Sequence, residues 1–255
     1  MDPKYRQHLE ELLRSKQERL MALELTAARF GYSAPPEVVT EIAQLRAEID
    51  KIEKELDGGY FDIDPQPSPV TILFLVADPS DATRLRLGEE FREIQEKLQR
   101  AKLRDRFTLE PRLSVRPEDF LQALIDVQPQ VVHFSGHGTA SGALCFENER
   151  GQMHPVDAQT LKAVFRKFAD KVQCVVLNAC YAEIQARAIA EHIEYVVGMN
   201  EAIGDRAAIA FASGFYQALG GGRSYEDAYD LGCVHISLLG IPEDLTPVLI
   251  RKEEL

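Results

Sequence analysis

Nowhere does the chain run to about 18 consecutive apolar residues, the length a helix needs to cross a bilayer, so no membrane span is expected. The opening Met1-Asp2-Pro3-Lys4-Tyr5-Arg6-Gln7 lacks the apolar centre of a secretory leader, which points to a cytoplasmic protein. Cysteine is scarce: the 4 residues at 145, 174, 180 and 233 form no Cys-x-x-Cys pair, so reduced thiols fit better than a disulfide framework or a zinc site. His154 and His192 have no ligand spacing to any Cys or His, and no metal or cofactor is expected. Basic residues are outnumbered, 29 against 41 acidic, and the net charge of −12 argues against nucleic acid as a general partner. The first strand, ending at Val76, lacks a glycine-rich turn after it, and Gly220-Gly221-Gly222 follows a helix end without the lysine of a phosphate loop. A nucleotide-binding domain is therefore disfavoured.

What is present is an ordinary globular composition, 45% hydrophobic and 27% charged over 255 residues, enough for one sizeable core and an appendage. The appendage comes first. Val38, Ile42, Leu45, Ile49, Ile52 and Leu56 follow a 4-3-4-3-4 spacing, and Leu9, Leu12, Leu13, Leu20, Leu23, Ala27 and Phe30 form an earlier stripe. Two amphipathic helices joined around Pro35-Pro36 make an antiparallel, coiled-coil-like hairpin over residues 1–57. Two readings stand open for it. Either the stripes bury each other or dock on the main domain, or the hairpin recruits a second copy or a regulatory partner. Residues 58–69, rich in Gly and Pro, read as a linker, and 70–255 as the main domain.

The main domain alternates apolar strands with helical patterns. Strands are expected at Val70–Val76, Phe107–Val115, before Ser135, before Asn178, at Tyr195–Met199 and at Pro247–Ile250, with a hairpin-like piece around Ala143–Phe146. Helices are expected at Leu85–Leu103, after Pro117, at Asp157–Phe168, after Cys180, at Asp205–Leu219 and at Ser224–Leu238. This alternation predicts an α/β three-layer sandwich around a mostly parallel sheet.

Two of these strands end in chemistry. Val131-Val132-His133-Phe134 leads to Ser135-Gly136-His137-Gly138, and Val172–Leu177 leads to Asn178-Ala179-Cys180-Tyr181. Adjacent parallel strands lie about 5 Å apart, so an imidazole and a thiol leaving the same sheet edge can meet. A free thiol is mostly protonated at neutral pH, and a nucleophilic cysteine needs a base, here His137, helped by the N-terminus of the helix following Cys180. The backbone N–H groups of Gly138 and Cys180 are candidate oxyanion donors. Asn178, Asp78 after the first strand, and Asp205 opening a later helix are candidates for substrate contact, with an N-terminal helix cap the competing account of Asp205. His133, mid-strand, reads as a core histidine. A single His or Cys at a strand end is usually only packed; the pair carries the argument.

Gly136-His137-Gly138 with Asn178-Ala179-Cys180, and the later Ala208–Leu219 followed by Gly220-Gly221-Gly222-Arg223-Ser224 and Ala228, resemble the caspase-like peptidases, and more closely their bacterial CHAT branch. The resemblance spans about residues 70–249. It implies a caspase-like fold and a cysteine endopeptidase acting on protein substrates through a His137/Cys180 dyad, in the company of bacterial conflict and signalling effectors. One position departs: caspases carry Gln and metacaspase-like enzymes Asp where this chain has Asn178. The competing function is a non-catalytic scaffold of the same fold, assembled through the hairpin.

Overall fold

The computed structural model describes residues 69–254 continuously and, within the first 66, positions 9, 12–17, 19–21, 23, 35, 38, 41, 42, 44–46, 48, 49 and 52. The chain forms two compact units, Met1–Gln66 and Pro67–Leu255, divided inside the segment expected to be a linker. In the first unit the described positions between 9 and 23 and between 38 and 52 are helical. Lys16 pairs with Glu48 at 2.6 Å and Arg19 with Glu41 at 2.5 Å, so the partner's number falls as the residue number rises and the two helical stretches run antiparallel. Leu9, Leu45, Ile49 and Ile52 are buried. Ala27, Phe30, Leu56 and linker residues 58–68 lie outside the described residues.

The second unit is built on strands β1 (Val70–Ala77), β2 (Phe107–Arg112), β3 (Val131–Gly138), β4 (Leu144–Glu147), β5 (Met153–Val156), β6 (Cys174–Asn178), β7 (Tyr195–Met199) and β8 (Pro247–Arg251). The main sheet runs β2-β1-β3-β6-β7-β8, parallel except for β8, while β4 and β5 form an antiparallel hairpin on the end of β3. The helices are α1 (Leu87–Arg100), α2 (Pro117–Val127), α3 (Ala158–Phe165), α4 (Glu183–Ala190), α5 (Asp205–Gly220) and α6 (Tyr225–Leu238). From β1 the chain steps outward to β2, then returns past β1 to β3. The direction of winding therefore reverses between β1 and β3, where the loops splay and ligands gather in open α/β sheets.

Strand residues alternate between two cores because successive side chains point to opposite faces. Ile72, Phe74, Val76, Val131, Cys174, Val176, Val197 and Met199 pack with α1, α5 and α6. Leu73, Leu75, Val132, Phe134, Val175, Leu177 and Val196 pack with α2, α3 and α4. Burying both faces explains why these strands are nearly continuous apolar runs. Helix starts are fixed locally: Asp157 accepts from the Thr160 N–H at 2.8 Å, and Ser224 from the Asp227 N–H at 3.0 Å. At α2, Pro117 follows Arg116, whose N–H donates to Asp119. The alternation therefore yields the expected three-layer sandwich.

Candidate active site

In β3 and β6 the pairing runs from Val131 opposite Cys174 to Ser135 opposite Asn178. His137 and Cys180 each lie two residues beyond that last pair. Both share the parity of His133 and Ser135, or of Cys174 and Val176, and so emerge on the face covered by α1 and α5. Past the shared register the strands part company. β3 runs on, with His137 opposite Cys145 of β4. After β6 the chain turns sharply: Tyr181 adopts φ 56°, a left-handed conformation uncommon for a residue with a side chain, and its N–H donates to the Glu201 carbonyl at 3.1 Å. Helix α4 begins two residues later, with Ala182 as its N-terminal cap.

The two ends touch through backbone. A Cβ on Gly138 would overlap the Cys180 carbonyl oxygen and stand 3.3 Å from the Cys180 nitrogen. Only glycine permits this approach, which places the residue after His137 directly against the cysteine turn.

His137 and Cys180 line one cleft of about 390 Å³, open space at its mouth included. Leu85, Arg86, Leu87 and Glu90 wall it from the start of α1, and Ser135 and Gly136 from β3. Asn178 and Ala179 contribute from β6, and Ile203, Asp205, Ala208 and Ile209 from the segment opening α5. His137 Nε2 lies 2.8 Å from the Thr83 carbonyl oxygen, which can only accept, so Nε2 carries the proton. In the neutral ring Nδ1 is then the free base. The Cys180 thiol points at the Ile203 carbonyl, 3.7 Å away.

Burial weighs on the other thiols, although Cys233, like Cys180, is only partly buried. Burial, and then the charge of Asp81, push the Cys145 thiol up, and complete burial pushes Cys174 up much further. Cys233 is pushed up to about 11, again chiefly by burial. Cys180 sits partly exposed in the cleft.

The structure brings His137, Gly138, Asn178, Cys180 and Asp205 together. Asp205 is the first residue of α5, whose N-terminal cap is Gly204, and it reaches the cleft half-buried. Asp78 does not line the cleft: it accepts from Arg84 at 2.7 Å while its N–H donates to Glu147 at 3.0 Å. It braces the loop that presents the Thr83 carbonyl. Asn178 is 4% exposed, and its Nδ2 donates to Glu90 Oε1 at 2.6 Å and to the Ala208 carbonyl at 3.2 Å. Both partners are acceptors, which fixes the orientation of the amide and leaves Oδ1 without a partner among the described residues.

Sequence reasoning missed Glu90. The signal was available, because Leu87, Glu90, Ile94 and Leu98 form one buried stripe of α1 with a carboxylate in an apolar place. Its Oε1 also accepts from His133 Nε2 at 2.9 Å, its Oε2 accepts from the Ser135 hydroxyl, and His133 Nδ1 meets the Tyr216 hydroxyl at 3.1 Å. His133 is the core histidine its mid-strand position predicts, with no measurable exposure.

A mostly parallel α/β sandwich with a histidine and a cysteine leaving neighbouring strands at one edge is the caspase-like class of fold. The chain is similar in structure to a secreted C11 cysteine protease from Bacteroides thetaiotaomicron, solved in complex with an irreversible peptide inhibitor. The TM-score is 0.54 at 12% identity, covering 73% of this chain and 67% of that one. The chain belongs to the CHAT domain family, whose model matches residues 61–230. It is 32% identical over 174 residues to a Roc-COR-CHAT protease from an unknown prokaryotic organism, covering 65% of this chain and 16% of that protein. It is 28% identical over 160 residues to a probable protease of Gillisia limnaea, covering 62% of this chain and 28% of that protein. The chain thus spans less than a third of the length of either of these relatives. Among the described residues no helix is long and apolar enough to cross a membrane.

Proposed function

We propose that the second unit is a cysteine endopeptidase in which Cys180 is the nucleophile and His137 the base. The observation that carries this reading is the shared cleft, with the His137 ring held by the Thr83 carbonyl so that Nδ1 is the nitrogen available to a thiol proton. The Cys180 thiol rotates away from the Ile203 carbonyl, passes its proton to Nδ1 and attacks a peptide carbonyl carbon. The oxyanion that forms is stabilised by the Gly138 and Cys180 backbone N–H groups, a role that the close approach of Gly138 to the Cys180 backbone supports. His137 then protonates the leaving amine, and water hydrolyses the thioester. Asn178, whose amide Oδ1 is buried without a partner among the described residues, and the half-buried carboxylate of Asp205 line the cleft and are the candidate substrate contacts. The protease names of the curated relatives and the cysteine protease fold support this reading, and a cytoplasmic bacterial effector acting on protein is the setting that suits it.

A second reading, a non-catalytic scaffold, is favoured by one observation. The thiol and the imidazole are each turned to a backbone carbonyl, Ile203 and Thr83, rather than to one another.

The test is digestion of a peptide library by the 255-residue chain and by Cys180→Ala, His137→Ala and Cys233→Ala. The expected outcome is cleavage that both dyad variants abolish and Cys233→Ala retains. A peptidyl electrophile should modify Cys180 selectively. Cleavage that survives Cys180→Ala, or equal loss from Cys233→Ala, refutes the dyad; no cleavage and no selective modification favours the scaffold.

A further inference from the structure

We propose that Glu90 is the positioning residue of the dyad: its carboxylate ties together the residues two places before His137 and two places before Cys180. The inference rests on the peptidase reading. Glu90 is 2% exposed on α1, and Ser135 and Asn178, which it binds through different oxygens, face each other in the β3–β6 register. A third bond, from His133 one strand repeat earlier, fixes the carboxylate itself. Beyond Ser135 and Asn178 the two strands exchange no further register, because β3 turns to β4 and β6 enters the Tyr181 turn. The Glu90 bridge is therefore the last side-chain link between the strands before the reacting groups, and it sits in the floor of the cleft. A carboxylate suits this place because it only accepts, and all three of its neighbours have a proton to give. A buried carboxylate that holds three hydrogen bonds rigidifies what it joins, although the Asn178 Oδ1 beside it has no partner among the described residues.

The experiment compares Glu90→Gln, Glu90→Met and Ser135→Ala with the unmodified chain, reading kcat and KM on a cleaved peptide and the rate at which iodoacetamide alkylates Cys180. Glutamine can keep the bridge, since its oxygen serves His133 and Asn178 while the Ser135 hydroxyl turns to accept from its amide. Methionine fills the space and bonds nothing. A misplacement on the order of 1 Å costs roughly 10- to 100-fold in rate, so Glu90→Met should lower kcat by at least about 10-fold with KM within about two-fold. Glu90→Gln should keep kcat within about three-fold, and Ser135→Ala should fall between the two. Rates are normalised to the folded fraction from circular dichroism. Should Glu90→Met fail to fold, Ser135→Ala decides alone: kcat and alkylation both unchanged within about two-fold overturn the proposal. So does an equal loss in Glu90→Gln and Glu90→Met. His137→Ala, alkylated in parallel, separates the layers. If it leaves the Cys180 rate unchanged, the peptidase reading and the clamp fall together; if it slows that rate while Glu90→Met and Ser135→Ala do not, only the clamp falls.

Discussion

At the scale of single residues, the proposed site depends as much on a missing side chain as on the two proposed to react. Gly138 lies so close to the Cys180 carbonyl that any Cβ must push the β3 end and the cysteine turn apart, and neither is free to yield: one is paired to β4, the other is held through Tyr181 and Glu201. Gly138→Ala should therefore lower kcat by roughly 100-fold, the effect of displacing reacting groups by about an ångström. Gly88, at the exposed start of α1 with nothing within 4 Å of its would-be Cβ, is the matched control. Gly88→Ala should leave kcat unchanged and the fold slightly more stable, since alanine is the better helix former. Equal activity in the two alanine variants would contradict the tight backbone contact proposed to frame the oxyanion.

At the scale of elements, the strands were legible because burial on both faces writes them as short apolar runs, and a histidine or cysteine just beyond such a run announces the sheet edge. The boundaries were less so. The strand expected over Phe107–Val115 ends at Arg112, where the chain turns through Ser114 at φ 52° and Val115 bonds Val76 instead. The strand before His137 runs on through Gly138, since β4 supplies a partner that its apolar pattern does not foretell. Two parts of the site left weaker traces: Glu90 shows only as a charge on an apolar stripe, and the Thr83 carbonyl is backbone, which any residue type can supply. The cap weighed for Asp205 falls to Gly204 instead, whereas Asp157 caps its helix and is testable. Hydrogen bonds, chiefly from the Thr160 N–H, hold the Asp157 carboxyl below its ordinary value of 3.8. A lowered folded value means that the cap contributes fully above the unfolded pKa and loses its contribution as pH falls through the folded one. The urea midpoint of Asp157→Ala should thus lie below that of the unmodified chain at about pH 7, and the gap should narrow at about pH 3. A gap that is constant with pH would mean that the charge has no part in the cap.

At the scale of the whole molecule, the chain after the cysteine bears on how activity is controlled. Between Cys180 and β7 there is no exposed loop of the kind proteases nick. Ala182, Gln185, Ala186, Ala188, Ile189, Ala190 and Ile193 are all buried, and α4 leads through a short turn to Tyr195. A cut there would have to unfold a packed helix whose loss would expose the core it shares with α2 and α3. Control by cutting the chain after the cysteine therefore has no suitable place in this segment. We propose instead that control runs through the antiparallel helical unit before Gln66, by a second copy or a partner that orders the cleft loops. The expected outcome is that the 255-residue chain cleaves peptide while remaining one intact polypeptide by mass spectrometry. A chain beginning at Pro67 should keep the dyad chemistry but change in mass by light scattering or in its dependence on protein concentration. Activity that appears only after a cut between Cys180 and Glu194 would overturn the single-chain proposal. A Pro67 chain with unaltered assembly and unaltered rate would take the regulatory role away from the helical unit.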